Sequence, residues 1–194
     1  MNIEQSIMEI LWTGPYSWPK YESETGLPSV PKHPGLYLQT FEYRDGYLIS
    51  AAGLTRRPIP TRLREHTNKF INGDYTIMDM IALKEGLRKE VWHGWGWSPE
   101  KRTDFEERKL IILSAARKQM AAYRLFVANV DPQPRILERL EASIWNLLYK
   151  LQNPFCDIPD RGVMISPRWE RETPIIVKNS CEVRLHGLPT SFDI

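Results

Sequence analysis

The pattern of hydrophobic and polar positions in residues 34–70 predicts a β-hairpin that leads into a helix. Two apolar-rich runs, residues 36–43 and 47–52, have the character of strands. Asp45 and Gly46 lie between them, and an Asp-Gly pair favours the tight turn of a hairpin. A hairpin followed directly by a helix is a compact way to direct a few polar side chains towards one point.

Three segments have the pattern of helices. The first begins near Pro58 and ends near residue 70, and the second begins at Ser98, a favourable N-terminal cap, and ends near residue 120. The third runs from Pro134 to about residue 150. Its apolar stripe at helical spacing is formed by Leu137, Leu140, Ile144, Leu148 and Leu151.

Shorter apolar runs predict further strands. Residues 123–130 have the pattern of a buried strand, and residues 163–165 and 175–177 are two short candidates in a proline-rich tail. Residues 75–83 alternate weakly, and residues 88–92 resemble another short strand.

The first 33 residues are predicted to form an extended arm on the surface. A short amphipathic piece over residues 3–12 gives way to a proline-rich stretch. Such an arm either packs on its own domain or clamps a second copy. At 194 residues the chain is long enough for one domain with arms and for a proper core.

Composition excludes several classes of protein. The 26 basic and 24 acidic residues nearly balance, so the net charge of +2 says little about partners. The two cysteines form neither a disulfide framework nor a metal-binding pair, and no N-terminal apolar run precedes a cleavage site. The apolar runs are too short to span a membrane. We therefore expect a cytoplasmic protein in a reducing compartment.

Positive charge is concentrated at the start of the first predicted helix. Residues 56–66 contain four arginines, Arg56, Arg57, Arg62 and Arg64, against one acid. Arg56, Arg57 and Arg64 are candidate contacts to nucleic-acid phosphates, with an ordinary solvated face as the alternative.

Arg62 and His66 lie four residues apart and therefore project from one face of the helix. They stand beside the apolar stripe made by Leu63 and Phe70. This pair either belongs to a polar site or is an ordinary feature of a basic helix with a capping histidine.

Glu141 occupies an unusual position in the last predicted helix. It follows Leu137 by four residues and precedes Ile144 by three, which places a carboxylate within the apolar stripe. A carboxylate there is costly unless it is paired or bound to a cation. The alternatives are a buried pair with an arginine such as Arg62 and a metal ligand.

In order along the chain, these features resemble the GIY-YIG nuclease superfamily. The first motif is Gly35-Leu36-Tyr37, and a second strand ends in a glycine, Gly53. The remaining matching positions are Arg62 and His66 on the following helix, Glu141 on a late helix and Asn153 twelve residues further on.

The resemblance implies a domain organisation. It covers residues 34–153, with an insertion at about 74–118 that the smallest members lack. Residues 1–33 are then an N-terminal arm and residues 154–194 a C-terminal extension. Members have a small central antiparallel sheet flanked by helices, so we expect an α+β fold of this kind.

The resemblance also implies a function and roles for the matching residues. Members cut DNA with one divalent cation, and restriction-type members are of comparable size. Carried over, Tyr37 orients or deprotonates water, Arg62 contacts the scissile phosphate and His66 acts as a base. Glu141 binds Mg²⁺ or Mn²⁺, and Asn153 is the late asparagine.

The second motif departs from the family pattern. With Gly53 as its glycine, the expected tyrosine is Ala51. Tyr47 is predicted to point to the same face of this strand as Ala51, but four residues amount to about 13 Å along a strand. The lysine often found after this motif is also absent, and Arg56 or Arg57 is the candidate replacement for its charge.

The sequence therefore predicts a Mg²⁺-dependent DNA endonuclease of restriction type acting on double-stranded DNA. Cleavage of both strands by a protein with one site favours a homodimer. The alternative, motivated by Ala51, is a DNA-binding protein with reduced or absent catalysis on the same scaffold. A third hypothesis is a protein-interaction module that uses the tryptophan-rich residues 93–97.

The remaining candidate residues give weaker indications of a functional role. Trp92, Trp95 and Trp97 either stack on bases or fill a core beneath the insertion. The scattered histidines have no metal-binding spacing, and the Cys156 thiol has no evident base partner.

Overall fold

The computed structural model describes residues 6–153 and 155–194. Its strands are β1 (Ser6–Tyr16), β2 (Gly35–Tyr43), β3 (Gly46–Thr55), β4 (Ile77–Met78), β5 (Glu90–Trp92), β6 (Arg124–Ala128), β7 (Ile175–Cys181), β8 (Arg184–His186) and β9 (Ser191–Asp193). Its helices are α1 (Glu22–Thr25), α2 (Ile59–Ile71), α3 (Met80–Lys84), α4 (Pro99–Ala122) and α5 (Pro134–Tyr149). A 3₁₀ turn spans Phe155–Asp157.

Seven strands form one mixed sheet in the order β8-β3-β2-β6-β1-β7-β9, and β4 and β5 form a separate pair. The β1–β7 and β3–β8 pairs are parallel, and the other neighbours in the large sheet are antiparallel. The predicted α+β class is confirmed. The sheet, however, is not the small antiparallel one that was expected, because strands from both ends of the chain enlarge it.

The predicted hairpin is present, and its second strand contains a bulge. β2 and β3 pair in antiparallel register on both sides of an irregularity, where Gln39 faces Ala51 but Thr40 faces Ile49. Ser50 is the extra residue, and its hydroxyl donates to the Gln39 carbonyl at 3.0 Å. An extra residue reverses which side chains of a strand point to each face.

The N-terminal segment differs from its prediction. Residues 6–16 do not lie on the surface as an arm; they form β1, which pairs with β6 on one side and β7 on the other. Ile10 and Trp12 are buried, whereas Ile7 and Leu11 on the opposite face are exposed. Apolar residues on both faces hide the alternation typical of a strand. The parallel partner β7 is also far away in the sequence.

Helices α2 and α5 pack on opposite faces of the sheet. α2 buries Leu63 and Phe70 in a core that includes Tyr37 on β2. α5 buries Leu137 and Ile144 in a second core on the other face. The hydrophobic stripes read from the sequence therefore face the sheet from opposite sides.

Near the C-terminal end of β3, a helix lies beside the outer edge of the strand where another strand would otherwise pair. β8 pairs with β3 from Gly46 to Leu48, which leaves the outer edge of β3 open near its end. α5 lies beside that edge, where the Trp145 indole donates to the Ala52 carbonyl at 3.0 Å. Glu141 stands one helical turn before Trp145. It can therefore reach around the edge towards the face that α2 covers.

The predicted insertion folds over the same region. It contains the small pair of strands, α3 and most of α4, and the Met78 amide donates to the buried Gln119 side chain at 2.7 Å. At the C-terminus, β7, β8 and β9 join the sheet, whereas the strand predicted at residues 163–165 is irregular chain. In the described part of the chain, no helix combines the length and apolarity needed to cross a membrane.

Candidate active site

A cavity of about 340 Å³ lies beside β2, β3 and α2. The four residues for which the sequence predicts catalytic roles all line it, and they come from three elements: Tyr37 from β2, Arg62 and His66 from α2 and Glu141 from α5. Residues separated by a hundred positions in the sequence thus share one chamber.

Tyr37 is positioned by a glycine on the next strand. It pairs with Gly53 of β3, and a Cβ built on Gly53 would overlap the ring and hydroxyl of Tyr37. A glycine is therefore needed at position 53 for a packing reason, since any side chain there would displace the tyrosine.

Tyr37 and His66 share a hydrogen bond of 2.8 Å between the phenol oxygen and Nε2. Burial raises the pKa of Tyr37 well above its usual value. Burial, with a smaller contribution from the Arg62 charge, lowers the pKa of His66 to about 4. Both groups are therefore neutral at neutral pH, which leaves the imidazole in its basic form.

Arg62 stands between an acid and the buried phenol. Its Nη1 donates to Glu65 at 3.0 Å, and the same carboxylate binds Arg57 at 2.8 Å. The Arg62 charge opposes the effect of burial on the pKa of Tyr37. The guanidinium remains charged and presents several donors in a fixed fork.

Glu141 is a partly buried carboxylate with an elevated pKa. Burial raises the pKa to about 7, while the Leu54 backbone and the Arg62 charge oppose the shift. The ion pair of Arg62 goes to Glu65, so a direct pair with Arg62 does not explain why Glu141 is there. The described residues contain no cluster of three or more candidate metal ligands.

The Glu141 carboxylate suits a cation that takes few of its ligands from the protein. Mg²⁺ characteristically keeps several waters and binds through one or two carboxylates together with substrate phosphates. Glu141 alone can supply the protein carboxylate, and its pKa near 7 places its ionisation within the physiological range. The residues present therefore fit a hydrated divalent cation.

Two predicted site residues lie elsewhere. The Tyr47 ring packs on Phe126 at a centroid distance of 5.0 Å, on the sheet face opposite to Tyr37. The bulge at Ser50 is the reason, because it reverses the alternation of β3. Asn153 is exposed beyond α5, where it accepts a hydrogen bond from the Cys156 thiol at 2.7 Å.

The arginines proposed to contact DNA are exposed at the start of α2. Arg56 binds Glu138 at 3.0 Å, Arg57 binds Glu65, and Arg64 donates to Thr61 at 3.1 Å. Exposed ion pairs contribute little to stability and exchange readily with other partners. Contacts from these side chains to phosphates remain a prediction.

The cavity also contains residues for which the sequence predicted no catalytic role. Tyr75 and Trp95 from the insertion and Asp160 from the C-terminal extension all line it. Asp160 accepts hydrogen bonds from the Trp95 indole at 2.9 Å and from Arg88 at 2.6 Å. Trp92 is buried instead, and its indole donates to the Gly73 carbonyl. The only local signal for Tyr75 was its position just after the end of the first predicted helix.

Comparison of the chain with protein-family models, with curated proteins and with solved structures gives no match. The chemistry of the cavity and the order of the motifs are therefore the basis for a functional proposal.

Proposed function

We propose that this protein is a Mg²⁺-dependent DNA endonuclease of restriction type, built on a core like that of the GIY-YIG superfamily. The observation that carries the proposal is the meeting of Tyr37, Arg62, His66 and Glu141 at one cavity. Each residue has a chemical property that phosphodiester hydrolysis requires.

The topology of part of the sheet supports the proposal. β3, β2 and β6 are consecutive antiparallel strands in the large sheet. α2 follows the hairpin, and α5 follows β6. This subset is a small antiparallel sheet flanked by helices, and the other strands extend it on both sides.

Arg62 is suited to hold the scissile phosphate. Hydrolysis increases the negative charge on the non-bridging phosphate oxygens, and a guanidinium fork offers them permanent donors. To bind a phosphate, Arg62 must release the Glu65 carboxylate. Glu65 then keeps a partner, because Arg57 binds the same carboxylate.

Tyr37 and His66 are suited to remove a proton from water. The water oxygen bonds to phosphorus while the bond from phosphorus to the 3′ oxygen breaks. Tyr37 accepts one proton of the water as its own proton moves to His66 along their 2.8 Å hydrogen bond. The phenol stays neutral, the imidazole holds the proton, and the departing 3′ oxygen takes a proton from solvent.

Glu141 is suited to hold the divalent cation at the cavity. A bound Mg²⁺ supplies Lewis-acid stabilisation of the departing oxygen. Glu141 must be ionised to bind it, and the nearby Arg62 charge favours that ionisation. One such site cuts one strand, so cleavage of a duplex calls for two protomers or two encounters.

A second candidate function is a DNA-binding protein that cuts slowly or not at all. The observation that favours it is Ala51, which lines the cavity where the family pattern has a tyrosine. This candidate predicts salt-sensitive binding of duplex DNA without metal-dependent cutting.

Plasmid nicking with and without Mg²⁺ separates these functions. We expect the wild type to cut and the Arg62→Ala, Glu141→Ala double variant to lose on the order of 10²-fold or more in rate. The matched control is Arg117→Ala, Glu107→Ala, which removes an exposed arginine and an exposed glutamate of α4. Equal cutting by the wild type and the first variant would show that the activity is not from this site. Metal-independent binding without cutting would favour the second candidate.

A further inference from the structure

Tyr75 lies in the cavity and is held there by three aromatic neighbours. Its ring centroid is 5.3 Å from His66, 5.3 Å from Phe70 and 5.4 Å from Trp95. The residue is half-buried in the loop between α2 and β4. Packing of this kind fixes the ring, and the residue remains partly exposed where it lines the cavity.

The electrostatic surroundings of Tyr75 resemble those of Tyr37. Burial raises the pKa of Tyr75, and the Arg62 charge opposes the shift. The phenol is therefore neutral and lies within the influence of the same guanidinium. It is a hydrogen-bond donor that keeps its proton at neutral pH.

The two phenols differ in how their hydroxyl groups are used. The Tyr37 hydroxyl is engaged with His66 at 2.8 Å. Among the described residues, no hydrogen bond of the protein uses the Tyr75 hydroxyl. A phenol that is fixed by packing, open to the cavity and free of protein partners is available to a ligand.

β3 supplies no phenol to the cavity at the position where the family pattern has one. Ala51 pairs with Gln39 and lines the cavity, so β3 contributes only a methyl group from this position. The insertion, which carries Tyr75, contributes a phenol to the same chamber. The insertion therefore supplies a phenol, whereas β3 has none at position 51.

We propose that Tyr75 is a catalytic residue of this site, whose hydroxyl donates a hydrogen bond to a non-bridging oxygen of the scissile phosphate beside Arg62. The inference rests on the nuclease function proposed above and adds a residue to it. Tyr75 keeps its proton throughout, since proton removal is assigned to Tyr37 and His66. Its contribution is a donor already in place for the charge that develops on phosphate oxygens.

Tyr75→Phe is the discriminating variant, because it removes the hydroxyl and keeps the ring that packs on His66 and Trp95. We expect kcat for cleavage of a plasmid or a defined duplex to fall by on the order of 10²-fold, with DNA binding in Ca²⁺ and the unfolding temperature unchanged. Tyr47→Phe is the matched control, since that phenol lies on the other face of the sheet. Its kcat should stay within about twofold of the wild type, in line with the small effect expected of a substitution away from the site.

The outcomes separate this inference from the function on which it rests. Cutting that requires Arg62 and Glu141 but proceeds at the wild-type rate in Tyr75→Phe overturns the role of Tyr75 alone. Cutting that does not depend on Arg62 and Glu141, or an absence of cutting, overturns both proposals. If Tyr75→Phe lowers the unfolding temperature as well as kcat, Tyr75 has a packing role and the inference is also overturned.

Discussion

Tyr37 and Gly53 face each other across β2 and β3, and the tyrosine ring fills the space that a side chain on Gly53 would need. Tyr37 and Gly53 are therefore one packing unit. This relationship explains why a glycine can be required here although no left-handed backbone conformation is involved.

Gly53→Ala should destabilise the protein by about 1–3 kcal/mol, because the new methyl group would overlap the Tyr37 ring and force it to move. Urea unfolding measures the change. In a Tyr37→Leu background, where the ring is absent, the same substitution should cost clearly less. An equal cost in both backgrounds would refute the steric relationship.

Mg²⁺ affinity should weaken in acid because Glu141 must lose its proton to bind the cation. Its pKa is raised to about 7, so the proton competes with the metal below that pH. Well below pH 7, the half-saturating Mg²⁺ concentration for nicking should rise by about tenfold for each pH unit. A half-saturating concentration that does not change between pH 6 and pH 8 would rule out Glu141 as the ligand.

Glu141 and His66 should also impose opposite pH dependences on folding in the absence of metal. Glu141 has a folded-state pKa of about 7, above its ordinary 4.5, so its contribution to stability is lost as the pH rises through this interval. His66 has a folded-state pKa of about 4, below its ordinary 6.5, so its contribution is lost as the pH falls through that interval. In the wild type the two slopes largely offset each other.

Single variants should reveal these slopes. With a chelator present, Glu141→Gln should lose stability between pH 7 and pH 5 relative to the wild type, because the buried histidine then acts alone. His66→Gln should show the reverse, with relatively higher stability at pH 5. Urea unfolding at the two pH values compares the slopes, and slopes of the same sign in both variants would contradict the assignment.

Trp145→Phe should lower activity as well as stability. The variant loses the hydrogen bond to the Ala52 carbonyl that holds α5 beside β3, close to Glu141. Trp12→Phe is the matched control, since it loses an indole hydrogen bond to Asn179 between β1 and β7, two strands away from the β3 and β2 pair that lines the site. Each should cost about 1 kcal/mol in unfolding experiments. Only the first should reduce nicking, and an equal effect of both on nicking would argue against a positioning role for Trp145.

Local signals in the sequence were sufficient for the hairpin and for the long helices. The Asp-Gly turn, the prolines that open α2 and α5 and the stripe containing Leu137 act within a few residues of one another. The same signals indicated Arg62, His66 and Glu141, because their positions on helices follow from spacing alone.

The remaining features depend on contacts between distant parts of the chain. β1 is stabilised by β7, whose paired residues lie 169 positions later, and its apolar residues on both faces obscure its period. Tyr75 enters the cavity because its ring packs on His66, Phe70 and Trp95, which no local pattern encodes. Tyr47 was assigned to the wrong face because the bulge at Ser50 has no clear signature in the sequence.

The extra residue in β3 also imposes a constraint on how this hairpin can change. Loss of Ser50 would exchange the two faces of β3 between Gly46 and Ile49, turning Tyr47 towards the face of Tyr37 and moving Leu48 out of the core that contains Tyr37. Substitutions near the hairpin tip leave that orientation intact, whereas a change of one residue in strand length does not. The orientation of the tip therefore depends on whether the number of residues in β3 is odd or even.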